Sequence, residues 1–294
     1  MIKQTLFFAS AVRLSLRNAQ IVISQKDSDV EQTRPIEDIG CVVLENQCIN
    51  ITLPLLNALV ANNVAVVICD NKQMPSSMLM GLESNATQAE SMKFQLAATE
   101  PCKKQAWKQI IEAKIRNQAA VLEQIGESGE MLKTYYLNIK SGDSDNREGL
   151  AAKIYWPMLF GKGFKRERDG ESPNALLNYG YTILRAATAR ALLGSGLMPS
   201  LGIFHRNRYN AFPLADDVME PYRPYVDAIV YSLCKEGVTE LTMKTKGQIL
   251  RLLACDVEMG AVRRPLMIAL TMTTASLAKM FAGEAKKLTL PKYV

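Results

Sequence analysis

Residues 205–224 contain acidic side chains whose spacing could form a catalytic or metal-binding site. Asp217 and Glu220 are three positions apart, so a helix that begins near Pro213 places both carboxylates on one face. Pro221 lacks the N–H that would bond to the carbonyl of Asp217, so we expect the helix to kink beside these carboxylates. If this face is buried, its acids must be protonated, paired with a cation or bound to a metal.

The same stretch supplies partners for these acids. His205 is the single histidine of the chain, and one imidazole with carboxylate oxygens suits Mg²⁺ or Mn²⁺ better than zinc. The basic side chains Arg206, Arg208 and Arg223 could hold phosphates. A solvated helix whose acids pair with these arginines explains the residues equally well, so spacing alone leaves both interpretations open.

A third acid, Glu148, lies in a stretch with the pattern of a helix that begins near Asn146. Helical spacing puts Glu148 on one face with Ala151 and Tyr155, so its carboxylate lies close to packed structure and could point into a site. An acid in the first turn also complements the helix dipole, and the residues alone favour this structural role.

The combination of three acids, one histidine and several arginines indicates a metal-assisted phosphodiester enzyme, in which a metal polarises the scissile phosphate. The sequence contains no Walker loop, no strand-following GxGxxG, no GxSxG elbow and no HExxH. Because these common catalytic and nucleotide-binding motifs are absent, none of them suggests a different activity.

The elements that position these residues divide the chain into two unlike parts. We predict an α+β fold with a mainly β domain over residues 1–75, a linker over 76–100 and a larger all-α domain over 101–294. In the first part, 12–17 and 20–24 alternate apolar and polar residues around an Asn18-Ala19 turn. Further strands are predicted at 41–44 and 64–69, with one short helix between Thr52 and Asn62.

Beyond Pro101 the pattern is helical almost to the end of the chain. One apolar stripe comprises Trp107, Ile110, Ile111, Ile115 and Leu122. Other long helices are predicted to begin near Asn146, Pro173, Pro213, Thr239 and Pro265.

Charge and composition narrow the class of protein. Of the formal net charge of +6, residues 1–75 contribute six basic and seven acidic side chains, and the remainder 29 basic and 22 acidic. A basic part joined to a neutral part favours a polyanionic partner. The six cysteines form no CxxC pair, and no apolar run reaches the ~18 residues that span a bilayer. We therefore expect a cytoplasmic protein with reduced thiols and no membrane contact.

Several blocks of the sequence resemble the CRISPR-associated integrases, the universal spacer-acquisition family, in a form similar to the type II systems. Residues 148–156 resemble the family's glutamate-bearing helix, and 210–224 resemble its acidic helix. The runs 178–181 and 196–205 lie between them, and the latter ends in the single histidine. Residues 35–39 and 63–70 resemble the family's β domain, so the similarity covers nearly the whole chain.

The resemblance implies a role for each residue of the site. Glu148, His205 and Glu220 would be the metal ligands for Mg²⁺ or Mn²⁺, with Asp217 as a neighbouring catalytic acid that supports them. Many members have aspartate where this chain has Glu220, and type II-like members have glutamate. Arg208 lies where the family often places a basic residue near DNA, and Arg223 does as well.

The resemblance also implies an activity and partners. A fragment of foreign duplex DNA would be inserted at the edge of a CRISPR repeat array, as its 3′ hydroxyl attacks a phosphodiester in a transesterification. Family members form homodimers, largely through the β domain, which would assemble with a small ferredoxin-like Cas partner. A nuclease that resolves branched DNA with the same site and a non-catalytic DNA-binding scaffold are the alternatives.

Overall fold

The computed structural model describes residues 3–25, 30–81, 84–167, 170–205 and 207–294. Strands dominate its amino-terminal part, and helices dominate the remainder, which confirms the predicted α+β class. The strands are β1 (Gln4–Phe8), β2 (Val12–Arg17), β3 (Gln20–Gln25), β4 (Gln32–Pro35), β5 (Ile39–Leu44), β6 (Asn50–Ile51), β7 (Ala65–Cys69), β8 (Pro75–Leu79), β9 (Asp256–Met259) and β10 (Val262–Pro265). The helices are α1 (Leu53–Ala61), α2 (Gln88–Ala97), α3 (Glu100–Gln124), α4 (Glu130–Leu137), α5 (Arg147–Phe160), α6 (Asn174–Gly194), α7 (Pro213–Met219), α8 (Arg223–Lys235), α9 (Met243–Leu250) and α10 (Leu266–Phe281).

Two sheets build the amino-terminal part. In one, β1, β5 and β7 run parallel, and β8 pairs antiparallel with β7 at the edge. In the other, β2 lies between β3 and β6, and β3 pairs with β4. The β2–β3 turn is made by Asn18 and Ala19, both at positive φ, as the predicted hairpin requires. Alternating apolar residues of these strands, with Leu55 and Leu59 of α1, form a separate core.

The segment predicted as a linker contains regular structure that sequence patterns did not reveal. Strand β8 begins at Pro75 and is formed by its pairing with β7. Helix α2 has no apolar stripe, and its one buried side chain is that of Gln95, which bonds to the backbone of Met198 and Leu201. Such tertiary hydrogen bonds leave no periodic signal in the sequence.

The helical part is organised around the long helix α3. Its predicted apolar stripe is buried throughout. Helix α9 begins at Met243 after a Thr242 cap, a few residues later than predicted, and the hairpin of β9 and β10 interrupts the region predicted as entirely helical.

A buried ion pair joins the two parts of the molecule. Lys246 of α9 places its Nζ 2.6 Å from Glu45 Oε2, just after β5, and 3.1 Å from the carbonyl oxygen of Gln73. Both charged side chains are almost fully buried.

The six cysteines all lie within the described ranges, and none of them is in a disulfide bond. Among the described helices, none combines the length and apolar character needed to cross a membrane.

Candidate active site

Lys114 of α3 lies between two carboxylates that the sequence places far apart. Its Nζ is 2.5 Å from Glu148 Oε1 and 2.6 Å from Glu220 Oε2. Glu148 comes from α5, whereas Glu220 comes from the turn that follows α7. The fold therefore brings two of the three predicted metal ligands to a single nitrogen atom.

The amino terminus of α5 fixes Glu148. Asn146 caps the helix by accepting a hydrogen bond from the N–H of Gly149. The carboxylate of Asp143 accepts two more, from the N–H groups of Arg147 and Glu148. Glu148 thus lies in a first turn whose free N–H groups are satisfied by side chains, and its own carboxylate remains available to Lys114.

A break between α7 and α8 fixes Glu220. Helix α7 ends at Met219, and Glu220–Tyr222 form a 3₁₀ turn around Pro221, at the position where the sequence predicts a kink. The side-chain amide of Asn117, one turn beyond Lys114 on α3, donates a 2.8 Å hydrogen bond to the carbonyl of Pro221. The same amide donates to the carbonyl of Pro291, so α3 holds both the turn and the carboxyl-terminal segment.

Two cations keep Glu220 ionised although it is buried. Burial disfavours the carboxylate, but the charges of Arg223 and Lys114 outweigh it, so the pKa of Glu220 is below its ordinary value. Arg223 Nε lies 2.9 Å from Glu220 Oε1. Burial likewise disfavours the Lys114 ammonium, yet the charges of Glu148 and Glu220 raise the pKa of Lys114.

One oxygen of Glu220 has charge contact without a hydrogen bond. Oε2 is fully buried and, among the described residues, has no partner in hydrogen-bonding geometry, although Lys114 Nζ is 2.6 Å away. The Lys114 ammonium is thus the close charged partner of this oxygen, and its contact lowers the pKa of Glu220.

Asp217 holds His205 in place. Asp217 is fully buried, and its Oδ1 lies 2.6 Å from His205 Nδ1. Its two oxygens also accept hydrogen bonds from the backbone N–H groups of Ile203, Phe204 and His205. A side chain at Gly202 would collide with the carbonyl of His205 and approach Asp217 closely, so glycine permits this tight loop. Asp217 and Glu220, predicted on one face, thus contact different partners.

The ring of His205 is packed against aromatic residues. Trp107 of α3 stacks on Phe204 with 4.3 Å between ring centroids, and both rings meet the His205 imidazole edge-on at 5.8 and 5.9 Å. The hydrogen bond to Asp217 raises the pKa of His205, against the effect of burial, and the negative charge of Glu220 adds to the rise. His205 and Glu220 therefore lie close enough to influence each other.

The donor set has the chemistry of a divalent-cation site, one imidazole and two carboxylates, but the three side chains do not converge on one point. Within the described ranges, no three His, Cys, Asp or Glu side chains are arranged to hold a metal ion. Lys114 occupies the space between Glu148 and Glu220. The His205 imidazole is oriented through Nδ1 by Asp217, which leaves Nε2 as the ligand atom that a metal centre needs.

The two arginines predicted to contact DNA have different surroundings. Arg208 is exposed beside Tyr209, with its guanidinium over the tyrosine ring. Arg223 is mostly buried, paired with Glu220 and stacked 4.6 Å from the centre of the Tyr181 ring. This placement favours a structural role for Arg223. Arg206 lies outside the described residues.

Sequence reasoning missed Lys114 and Asn117. A signal was present, because Lys114 follows Trp107 by seven residues and Ile110 by four, which places a charged side chain on the buried face of α3. Asn117 continues the same face. A lysine inside an apolar stripe requires buried acidic partners.

Comparison with known proteins identifies the family of this chain. The family model described as "CRISPR associated protein Cas1" matches residues 6–252. The chain belongs to the Cas1 family. A relative from Neisseria meningitidis serogroup C (strain 8013), named a CRISPR-associated endonuclease Cas1, is 36% identical over 294 residues, covering 98% of this chain and 96% of the relative.

Solved structures show the same fold. A casposase bound to integration product has a TM-score of 0.80 at 23% identity and covers 100% of this chain and 95% of its own. A Cas6-RT-Cas1–Cas2 complex has a TM-score of 0.73 at 21% identity over 98% of this chain and 36% of the other. The predicted family is thus confirmed.

Proposed function

We propose that this Cas1 protein is a metal-dependent DNA endonuclease and integrase that inserts short foreign DNA fragments into a CRISPR repeat array. The reaction is a transesterification in which the 3′ hydroxyl of the fragment attacks a phosphodiester of the repeat. The convergence of Glu148 and Glu220 on one nitrogen, with His205 nearby, carries the proposal. Membership of a family whose relatives are named endonucleases supports it.

Glu148, Glu220 and His205 would hold the metal. A bound Mg²⁺ or Mn²⁺ would supply activation of the attacking hydroxyl and stabilisation of charge on the phosphate. Asp217 is a positioning residue, because it bonds His205 Nδ1 and the backbone of the same loop. Arg223 acts as a counterion that keeps Glu220 ionised.

The partners follow from the same proposal. Duplex DNA binds the basic helical part, and Arg208 is an exposed contact. The near-neutral first 75 residues serve homodimer formation, and the dimer assembles with a small ferredoxin-like Cas subunit. The solved Cas6-RT-Cas1–Cas2 complex, whose fold is similar, combines Cas1 with Cas2, and this combination supports the proposed assembly.

Strand transfer tests the proposal directly. A short duplex with free 3′ hydroxyls is incubated with a supercoiled plasmid that carries a repeat, with Mn²⁺ or with chelator, and with the small partner subunit. We expect nicked plasmid covalently joined to the duplex only when Mn²⁺ is present. Glu220→Gln and Glu148→Gln should each reduce the rate by about 100-fold or more, because each removes a ligand charge.

The matched control is Glu236→Gln, which changes an exposed acid at the end of α8. It should leave strand transfer unchanged. Metal-dependent cutting of branched DNA without any joining would favour the nuclease alternative. DNA binding with no metal-dependent chemistry would contradict the proposal and favour a scaffold.

A further inference from the structure

The carboxylates in direct contact with Lys114 already have cationic partners. Two carboxylates, Glu148 and Glu220, face two cations, Lys114 and Arg223. Lys114 and Glu220 are both buried, so water screens these charges weakly. A divalent cation that entered this group would add two positive charges where each contacting carboxylate already has a cation, and the buried Asp227 carboxyl also interacts with both cations.

Lys114 also occupies the space that lies between the two carboxylates. Its Nζ is within 2.6 Å of an oxygen of each. An ammonium and a metal ion cannot both approach the same two oxygens this closely, and their repulsion is strong in a buried site. Metal binding therefore requires the ammonium to move away from at least one carboxylate.

We propose that Lys114 competes with the divalent metal for Glu148 and Glu220, and that a DNA phosphate relieves this competition by pairing with the displaced ammonium. The inference rests on the proposed function, because it takes the same carboxylates as metal ligands. Metal-free protein keeps its acids paired with Lys114 and binds metal weakly. When DNA binds, one of its phosphates pairs with the displaced Lys114 ammonium, so the carboxylates become free for the metal. Metal binding and DNA binding therefore strengthen each other.

Manganese binding in the absence of DNA provides the first test. Mn²⁺ affinity is measured by electron paramagnetic resonance titration of the untagged full-length protein and of Lys114→Met. We expect the variant to bind Mn²⁺ about tenfold more tightly or better, because a nearby positive charge is gone. Lys104→Met, on the exposed side of the same helix, is the control and should bind as the wild type does.

Duplex DNA provides the second test. Adding a short duplex should tighten Mn²⁺ binding by the wild type about tenfold, and by Lys114→Met clearly less. If Lys114→Met does not fold, Lys114→Gln replaces it, since glutamine keeps an N–H donor for the carboxylates without the charge. The wild-type titration with and without duplex requires no variant at all.

Thermal unfolding gives an independent readout. In chelator, Lys114→Met should melt at a lower temperature than the wild type, because two carboxylates lose their shared cation. Mn²⁺ should raise its melting temperature by more than it raises that of the wild type.

The outcomes separate this inference from the proposed function. Unchanged or weaker Mn²⁺ binding by both Lys114 variants, or no effect of duplex on the wild type, would overturn the inference and leave the metal site in place. Absence of Mn²⁺ binding by every protein, with and without duplex, would overturn the proposed function and the inference with it.

Discussion

Two buried lysines in this chain hold glutamates in different ways. Lys246 serves one carboxylate, that of Glu45, and completes its hydrogen bonds on the backbone of Gln73. Lys114 serves two carboxylates, those of Glu148 and Glu220, which come from separate elements. In the first arrangement the lysine and its single glutamate are matched one to one. In the second, two carboxylates share one ammonium, and a metal cation could take its place. This difference distinguishes a structural ion pair from a candidate metal site.

A third buried acid uses neither arrangement. Asp227 of α8 accepts hydrogen bonds from the hydroxyls of Tyr155 and Tyr181. Burial raises its pKa to about 6, although both tyrosine hydrogen bonds act in the opposite direction. The molecule thus buries acids by pairing, by sharing a cation and by favouring protonation.

Removing the lysine of the complete pair should have the largest effect on stability. Lys246→Met leaves Glu45 buried without its cation, and we expect a loss of about 3–5 kcal/mol in the free energy of unfolding. Urea denaturation measures the loss. The double variant Glu45→Gln/Lys246→Met should recover most of it. If Mn²⁺ restored the unfolding free energy of Lys246→Met, the Glu45–Lys246 pair would also behave as a cation site, which would contradict this comparison.

Asp227 should make stability depend on pH. Because its folded pKa is raised from 3.8 to about 6, its contribution is fully present below about pH 3.8 and is lost as pH rises through 6. The corresponding free energy is about 3 kcal/mol. The difference in unfolding free energy between the wild type and Asp227→Asn, from urea denaturation, should fall by up to this amount between about pH 4 and 7. A difference that is independent of pH would contradict the raised pKa.

The orienting role of Asp217 should appear in metal affinity. In Asp217→Asn the amide nitrogen cannot accept the hydrogen bonds that one carboxylate oxygen accepts now, so the loop of His205 loosens. We expect Mn²⁺ affinity to fall by about 10–100-fold. Asp256→Asn changes an exposed aspartate and serves as control in the same titration. Unchanged affinity in Asp217→Asn would show that His205 needs no support.

Substitutions of Arg208 and Arg223 should affect DNA binding differently. We expect these changes to be smaller than those predicted above for stability and metal affinity. Arg208→Ala removes an exposed charge, so the slope of log affinity against log salt should decrease by about one. Arg223→Ala should leave that slope unchanged, since its guanidinium is paired with Glu220. Fluorescence anisotropy between about 50 and 200 mM salt measures both. An equal decrease for Arg223→Ala would instead support the DNA contact expected from the sequence.

Local patterns predicted much of this fold because most elements carry their own signals. The β2–β3 hairpin follows from strict alternation around Asn18-Ala19, and α3 follows from its apolar stripe. Strand β8 and helix α2 were missed because partners distant in sequence define them. Gln95, for example, holds α2 through bonds to a loop about a hundred residues away.

The site was predicted less completely. Glu148, His205, Glu220 and Asp217 were assigned to the site by family resemblance. Spacing alone left Asp217 and Glu220 balanced between chemistry and pairing, and it favoured a structural role for Glu148. The structure shows the pairing for Glu220, which contacts Arg223. The metal site stays a prediction. That Lys114 lies between two acids depends on three elements packing together, and no single stretch of sequence reports that arrangement.

The single histidine allows one measurement to test the metal site directly. Untagged protein is labelled with ring ¹⁵N-histidine, loaded with Mn²⁺ and studied by pulsed electron paramagnetic resonance. Because His205 is the only histidine, any imidazole coupling to Mn²⁺ must come from it. We predict a clear ¹⁵N coupling that Glu220→Gln weakens or abolishes, because both residues would bind the same ion. Bound Mn²⁺ without imidazole coupling would contradict the assignment of Glu148, His205 and Glu220 to one metal centre.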